Sequence, residues 1–345
     1  MTTYDRIDPQ RNLVVGVGSA LIDILAREDD AFLHKTGAVK GGMIYVDKAF
    51  IDQTLRLTAA EPQVVPGGSA CNTVVGIGRL GGRARFVGKC GNGSMGNLFR
   101  SVLSKQNVDP MLLGCDSPTG RVLSIITPDS QRSMFTFLGA SSEVQPKEIT
   151  PACFEHAAIV HIEGYLLFNR DLIVAVLEAG RTAGALISLD LASFNVVNET
   201  KDFLNQLIDQ YVDILIANED EALAYTGTRD ENQALTLMAR NVDLAILKIG
   251  SRGSLIAYGG KTLAIPAKGT GEALDTTGAG DLWASGFLFG LVQHRPLADC
   301  GDLGSLCGHE VCQVIGAHIP DARWHAIQQY LEEQWPRDGS HVSNC

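Results

Sequence analysis

Residues Leu274–Gly290 read LDTTGAGDLWASGFLFG, and this stretch constrains the chain more than any other. From Leu282 to Val292 there is neither a charge nor a proline, so the run reads as a helix buried on all sides. The segment in front of it, Asp275-Thr276-Thr277-Gly278-Ala279-Gly280-Asp281, holds two glycines, two threonines and an acid at each end. It would form the N-terminus of that helix, where backbone N–H groups lack partners and the helix dipole is positive. Such an end attracts anions, and glycines let an anion come close to the backbone. Asp281 is out of place there unless it has a task of its own, accepting the proton of a hydroxyl that attacks a bound phosphoryl group. The plain alternative is a glycine-rich turn capped by an acid.

The DTTGAGD run with its small-residue apolar helix resembles the C-terminal signature of the ribokinase-like (PfkB) kinases, which phosphorylate sugars and nucleosides. The resemblance implies that Asp281 is the catalytic base and that the amides of Gly278, Ala279 and Gly280 form an anion hole. It also implies that Thr276 lies beside ATP. A monovalent cation such as K⁺ near Asp275 is implied by the resemblance alone.

With 345 residues, 45% of them hydrophobic, the chain can build one large core, or a large domain with a small one attached. A formal charge of −11 argues against nucleic acid and anionic membranes as general partners. Met1–Asp8 shows no basic stretch leading into an apolar one, and no apolar run reaches the length of a membrane span. Eight cysteines without regular spacing or a CxxC pair read as free thiols of a reducing compartment. The expectation is a cytoplasmic protein, monomer or homodimer.

Leu13–Gly18 is a short apolar run bounded by glycine, typical of a buried strand. It leads to Asp23, which either caps a helix or grips a polyol beyond the strand's C-terminal end. The family resemblance assigns Asp23 to the sugar hydroxyls. Pro66-Gly67-Gly68-Ser69-Ala70-Cys71-Asn72 precedes a small-residue helix, and Ser69 fits its N-cap. Asn72 is a poor helix former, and a hydroxylated ligand would explain its presence. This stretch resembles the family's N-terminal signature, in which the double glycine and the asparagine contact the sugar. Gly91–Gly96 formally satisfies GxGxxG, but no acid ends a following strand, so it reads as a tight turn into a helix. The family often has an acid in this loop, whereas this chain has Gly93.

Arg121–Thr127 and Ser133–Leu138 flank Pro128-Asp-Ser-Gln131, a hairpin signal. The glycine-punctuated segment around Met43–Val46 has similar texture. The two regions are expected to pair as a β-sheet lid. Arg132, at the hairpin turn, reads on its own as a solvated turn residue; the resemblance implies an arginine that reaches the transferring phosphate, as in nucleoside kinases.

From Ile159 onward, apolar strands alternate with amphipathic helices, which argues for a parallel sheet covered on both faces. Glu163, Asp190, Asn218 and Lys248–Gly250 fall at the strands' C-terminal ends, where such sheets bind ligands. By resemblance, Asn218 and Glu221 form an N-x-x-E element that positions Mg²⁺ through water, and Lys248, Gly250 and Gly253 lie beside ATP. Tyr165 or Phe168 either stacks on a base or belongs to the core. His309 is expected to be structural. Gly259-Gly260-Lys261-Thr262 joins two strand-like pieces and is not a Walker A loop.

The elements match the family's order from Val14 to Ile319. The expected fold is an α/β three-layer sandwich on a mainly parallel sheet, with residues 1–30, 47–118 and 139–345 in the large domain and 31–46 and 119–138 in the lid. The expected reaction is ATP- and Mg²⁺-dependent phosphoryl transfer to a primary hydroxyl. The opening Gly18–Asp23, the Gly-Gly-Ser-Ala-Cys-Asn72 box and the stretch around Glu163 look most like the adenosine-kinase branch. The runner-up is a kinase for ribose, fructose or a related ketose. Asp281 is expected to have a lowered pKa from its place on the helix dipole.

Overall fold

The computed structural model describes residues 6–37, 40, 42–59, 61–129 and 131–335. Met1–Asp5, part of the start read above as lacking a leader, and the polar stretch Arg337–Cys345 lie outside the described residues, as do Gly41 and Ser130. The strands are Leu13–Val17 (β1), Leu21–Arg27 (β2), Met43–Tyr45 (β3), Gln63–Gly67 (β4), Arg83–Gly91 (β5), Val108–Cys115 (β6) and Gly120–Ile126 (β7). They continue as Arg132–Phe137 (β8), Ala157–Glu163 (β9), Leu186–Asp190 (β10), Ile214–Asn218 (β11), Leu244–Lys248 (β12), Ser254–Tyr258 (β13) and Lys261–Ile265 (β14).

Nine of these form one sheet in the order β14-β13-β12-β11-β10-β9-β1-β5-β6. From β12 to β6 every pairing is parallel, and β13 and β14 add an antiparallel hairpin at one edge. The parallel strands are apolar on both faces because helices cover both. Val14 and Val15, adjacent on β1 and fully buried, accordingly belong to two separate cores on opposite sides of the sheet. Pro110 sits on the edge strand β6, where a missing N–H costs no ladder bond. The turn around Gly259-Gly260 joins antiparallel β13 and β14, in accord with the rejection of a Walker A loop.

A second sheet runs β3-β8-β7-β2-β4. The expected hairpin forms: β7 and β8 are antiparallel, and Thr127 N–H donates to the Gln131 carbonyl at 3.0 Å. β3 joins β8 in parallel, which brings the two lid-like regions together. The sheet also takes in β2 and β4, which the expected boundaries left in the large domain. Residues 30–36 are a short helix rather than a strand. After β1 the chain turns within three residues and runs as β2 into the other sheet, so Asp23 is a mid-strand residue and neither a helix cap nor a terminal one.

The helix Ala279–Val292 occupies the middle of the larger core, with every residue from Leu282 to Val292 buried. It packs against the helices Ser69–Arg79 and Leu297–Cys312 through small residues at the contacts. A Cβ on Gly76 would stand 2.4 Å from Ser285 Oγ, and one on Gly290 would stand 2.8 Å from Cys300 Sγ. Among the described residues every cysteine is free, and no helix is long and apolar enough to cross a membrane.

Candidate active site

β1 is the strand at which the sheet's order reverses, since the chain adds β5 and β6 on one side and β9 to β14 on the other. A crevice at such a reversal is where α/β sheets hold ligands. Glu163 ends β9, Asp190 ends β10, Asn218 ends β11 and Lys248 ends β12, so all four side chains stand on this rim.

The Ala279–Val292 helix begins at the same rim. Its N-cap Gly278 has φ +76°, a left-handed conformation that favours glycine, and no side chain caps the end. Of the three amides expected to face an anion, that of Ala279 already donates to the Thr276 carbonyl at 3.1 Å. Asp281 lies in the first turn. Its Oδ1 accepts from Ser69 Oγ at 2.7 Å and its Oδ2 from Asn72 Nδ2 at 2.9 Å, while Thr73 Oγ1 donates to its backbone carbonyl at 3.1 Å. Ser69 is therefore not the N-cap of its helix. Gly68 takes that place, with φ +100° and no room for a Cβ, which would lie 2.4 Å from the Ser19 carbonyl oxygen. Asn72, expected to point at a substrate, turns its amide nitrogen to Asp281 instead.

The expected low pKa of Asp281 is reversed. Burial raises it, and the hydrogen bonds from Asn72 and Ser69 together with the charge of Lys248 only partly offset that effect. Desolvation is the largest influence, because the carboxylate stands in the cleft rather than at a solvated helix end.

Asp23 approaches the same point from the second sheet. It lies tight over Gly67, where a Cβ would come within 2.3 Å of its carboxylate. Among the described residues its carboxylate forms no hydrogen bond. Burial pushes it up to about 7, opposed by the positive charge of Arg132 and reinforced by the negative charge of Asp281. Tyr165, in the turn after β9, is also raised by burial and by the nearby charges of Glu163 and Asp281. Phe168 is 49% exposed and so is not core.

On the other side of Asp281, Lys248 Nζ stands 2.8 Å from Asp190 Oδ2. The same ammonium would lie 2.9 Å from a Cβ on Gly280, so it overhangs the start of the helix. Burial works to discharge Lys248, but the carboxylates of Asp190 and Glu221 prevail and raise its pKa. Asn218 and Glu221 form a reciprocal capping box: Glu221 accepts from the Asn218 N–H and Nδ2 at 2.8 Å each, and Asn218 Oδ1 accepts the Glu221 N–H at 2.9 Å. Glu221 is 3% exposed, and burial beside Asp190 raises its pKa. Among the described residues no three acids, histidines or cysteines gather as a metal cage. These residues fit a magnesium ion held through water and a nucleotide's phosphates, and not one ligated directly by Glu221, whose oxygens are already engaged.

Arg132 crosses from β8 to Asp275. One guanidinium nitrogen meets Asp275 Oδ2, and both side chains are about nine-tenths buried. Asp275 also accepts the Gly316 N–H at 2.8 Å and the Thr277 N–H at 3.0 Å. Burial works against its ionisation, but those two N–H groups and Arg132 hold it below the ordinary carboxylate value. A side chain expected beside a monovalent cation is thus occupied by donors.

From Gly280 and Lys248 a cleft of about 850 Å³ extends between the β11 and β12 ends and the Leu297–Cys312 helix. Asn218, Gly250, Gly253 and Thr276, all expected beside ATP, line it. Gly253, at φ +102°, would put a Cβ 2.0 Å from the Ile265 carbonyl oxygen, so only glycine fits the bend. His309, expected to be structural, also lines the cleft, as do Trp283 and Ser305. Trp283 and Ser305 carry no local signal of this, because only the packing of two helices makes them neighbours of the loops at the β11 and β12 ends.

Residues 32–323 match the pfkB family carbohydrate kinases. The chain is similar to a fructokinase of Klebsiella pneumoniae, 28% identical over 241 residues that cover 66% of this chain and 78% of the relative. Among solved structures it is similar to the adenosine kinase from Sinorhizobium meliloti, with 31% identity, a TM-score of 0.83 and coverage of 93% of this chain and 99% of that one. A probable sugar kinase from Rhizobium etli gives 31% identity, a TM-score of 0.84 and coverage of 96% and 99%. The chain belongs to the pfkB carbohydrate kinase family, ribokinase-like phosphotransferases whose acceptor is an alcohol.

Proposed function

We propose that the protein transfers the γ-phosphoryl group of ATP to the primary hydroxyl of a ribose-containing acceptor, as adenosine kinases do. The observation that carries this reading is the Asp281 carboxylate, held by Ser69 and Asn72 at the uncapped start of a buried helix, with the unbonded Asp23 carboxylate facing the same point. Asp23 accepts hydrogen bonds from two ribose hydroxyls, and Gly67 and Gly68 let the sugar lie against the backbone. The acceptor oxygen attacks the γ-phosphorus and forms the new P–O bond. The bond from that phosphorus to the β,γ-bridging oxygen breaks, ADP leaves with its electron pair, and the hydroxyl proton passes to Asp281. The raised pKa of Asp281 makes it a better base than a solvated aspartate.

The amides of Gly278 and Gly280 and the Lys248 ammonium face the γ-phosphate, and the cleft lined by Asn218, Gly250, Gly253 and Thr276 receives the rest of the nucleotide. Asn218 and Glu221 would orient a magnesium ion through water, and such an ion would supply charge neutralisation on the phosphates. The β3-β8-β7-β2-β4 sheet acts as a lid that excludes water, with Arg132 reaching the cleft from it.

Tyr165, beside Glu163 and Asp281, offers a flat surface to a nucleobase, and the likeness to the Sinorhizobium meliloti adenosine kinase supports the same acceptor class. The similarity to the Klebsiella pneumoniae fructokinase supports the second reading, a kinase of free ketose or ribose. A coupled ADP-release screen with adenosine, other nucleosides, ribose and fructose separates the two. Turnover of nucleosides at much higher kcat/KM than free sugars upholds the first reading, and the reverse order replaces it with the second.

A further inference from the structure

Glu163 takes part in none of the steps above, yet its side chain is 1% exposed at the reversal point of the sheet. Oε1 accepts the Ser19 N–H at 2.8 Å and Oε2 accepts the Ala70 N–H at 3.1 Å. Gly18 makes this approach possible, since a Cβ there would fall 2.2 Å from Oε2. Among the described residues no cation pairs with the carboxylate, and a buried charge held by hydrogen bonds alone, from the two N–H groups and the Ser19 side chain, is costly.

The two segments it holds are the ones that carry the acceptor chemistry. Ser19 lies in the turn that opens into β2, four residues before Asp23. Ala70 lies in the first turn of the Ser69–Arg79 helix, between the Ser69 and Asn72 side chains that hold Asp281. The Gly68 backbone also packs directly on the Ser19 carbonyl. The geometry points to Glu163 as a positioning residue for phosphoryl transfer, a carboxylate that sets the spacing between the acceptor's aspartate and the supports of the base. This rests on the proposed kinase reading. A glutamine cannot do the same, because it offers one acceptor and one donor where two N–H groups need acceptors.

The charged and titratable groups facing Glu163 are Asp281 from the buried helix, Tyr45 from β3, Tyr165 from the turn after β9 and Cys71 from the Ser69–Arg79 helix. None is a base that would cancel its charge. The charge of Asp281 disfavours ionisation of Glu163. Glu163 acts on the base through geometry, by the two segments it holds.

The test compares Glu163→Gln and Glu163→Asp with the unaltered enzyme on its best acceptor. In E163Q, kcat falls about tenfold or more and the acceptor KM rises several-fold, while the ATP KM stays within about twofold. The unaltered enzyme loses kcat as pH falls through about 7, where Glu163 takes up a proton and can no longer accept both N–H groups, and E163Q lacks that step. In E163D the step remains, because the carboxylate remains, while kcat is lower because the reach is lost. An E163Q enzyme with normal acceptor KM and the step still present overturns the inference. So does a variant whose ATP KM and melting temperature deteriorate in step with kcat, the mark of a merely structural role. If the unaltered protein phosphorylates no acceptor, the kinase reading itself fails. Hydrogen exchange at the Ser19 and Ala70 amides then decides for Glu163: faster exchange in E163Q upholds the link and unchanged exchange removes it.

Discussion

The Asn72 amide nitrogen lies 2.9 Å from Asp281 Oδ2, a contact between residues 209 positions apart in the chain. It joins the family's N-terminal signature to its C-terminal one and orients the carboxylate that heads the buried helix. With Ser69 on the other oxygen, the carboxylate has two donors and little freedom to rotate. Removing either donor should misalign the base without unfolding the helix that carries it. Asn72→Ala and Ser69→Ala are each expected to lower kcat about tenfold at near-normal ATP KM, with an unchanged circular dichroism spectrum. Normal kcat in both would mean that the carboxylate is held some other way.

Asp281→Asn keeps the shape of the side chain and its place on the helix but can no longer take a proton. The expected loss in kcat is about a thousandfold, within the usual range for a general base. ADP should bind as before by titration calorimetry, because the cleft that receives it is untouched. A variant with full turnover would end the assignment of Asp281 as base.

Arg132 and Asp275 link the small sheet to the loop that starts the buried helix. In Arg132→Ala, Asp275 keeps its two backbone donors, Gly316 and Thr277, so it is not left without partners. The stability cost should therefore be modest, about 1–3 kcal/mol by thermal or denaturant unfolding. The kinetic cost should be larger, because the link between lid and phosphate site is lost: kcat is expected to drop about tenfold or more. Arg132→Lys should recover only part of it, since an ammonium cannot reproduce the planar fork. Equal activity in all three proteins would remove Arg132 from the site.

Stability should depend on pH in an unusual direction. Burial raises Asp23 and Glu163 to about 7 and also raises Glu221. In the unfolded chain these groups titrate near 4, so between about pH 4 and pH 7 the folded state binds more protons. Their contribution is complete below the unfolded values and is lost as pH rises through the folded ones. His161 opposes this, because burial lowers it to about 4 and its contribution fades as pH falls from about 6.5. Four raised carboxyls, Asp281 among them, against two lowered imidazoles, His161 and His318, leave a net effect in favour of mild acid. The ligand-free protein should melt several degrees higher at pH 6 than at pH 8 by calorimetry, and a melting temperature that rises from pH 6 to pH 8 would contradict the raised carboxyl values.

Much of this molecule was legible locally. The uncharged run Leu282–Val292 could only be a buried helix, and the glycines before it marked an anion-attracting start. Regular alternation after Ile159 announced the parallel sheet, and Pro128–Gln131 announced a hairpin. Those features depend on residues a few positions apart, which is the range over which periodicity and turn chemistry act. Asp23 was misread as a strand terminus or cap because nothing local shows that the chain changes sheets after β1. Ser69 was read as a cap because a serine before a helix usually is one.

Sequence alone therefore determined the parallel sheet after Ile159, the β7–β8 hairpin, the buried helix and the chemistry of its start. Only the tertiary structure decided that Ser69 and Asn72 hold Asp281, that Arg132 meets Asp275, and that Glu163 binds the turn before β2. It also decided that Asp281 has a raised and not a lowered pKa, because burial depends on what the rest of the chain packs around a group. Each of those contacts spans more than 90 residues of sequence. Such pairings follow from packing two sheets and their helices together, and no short-range pattern encodes them.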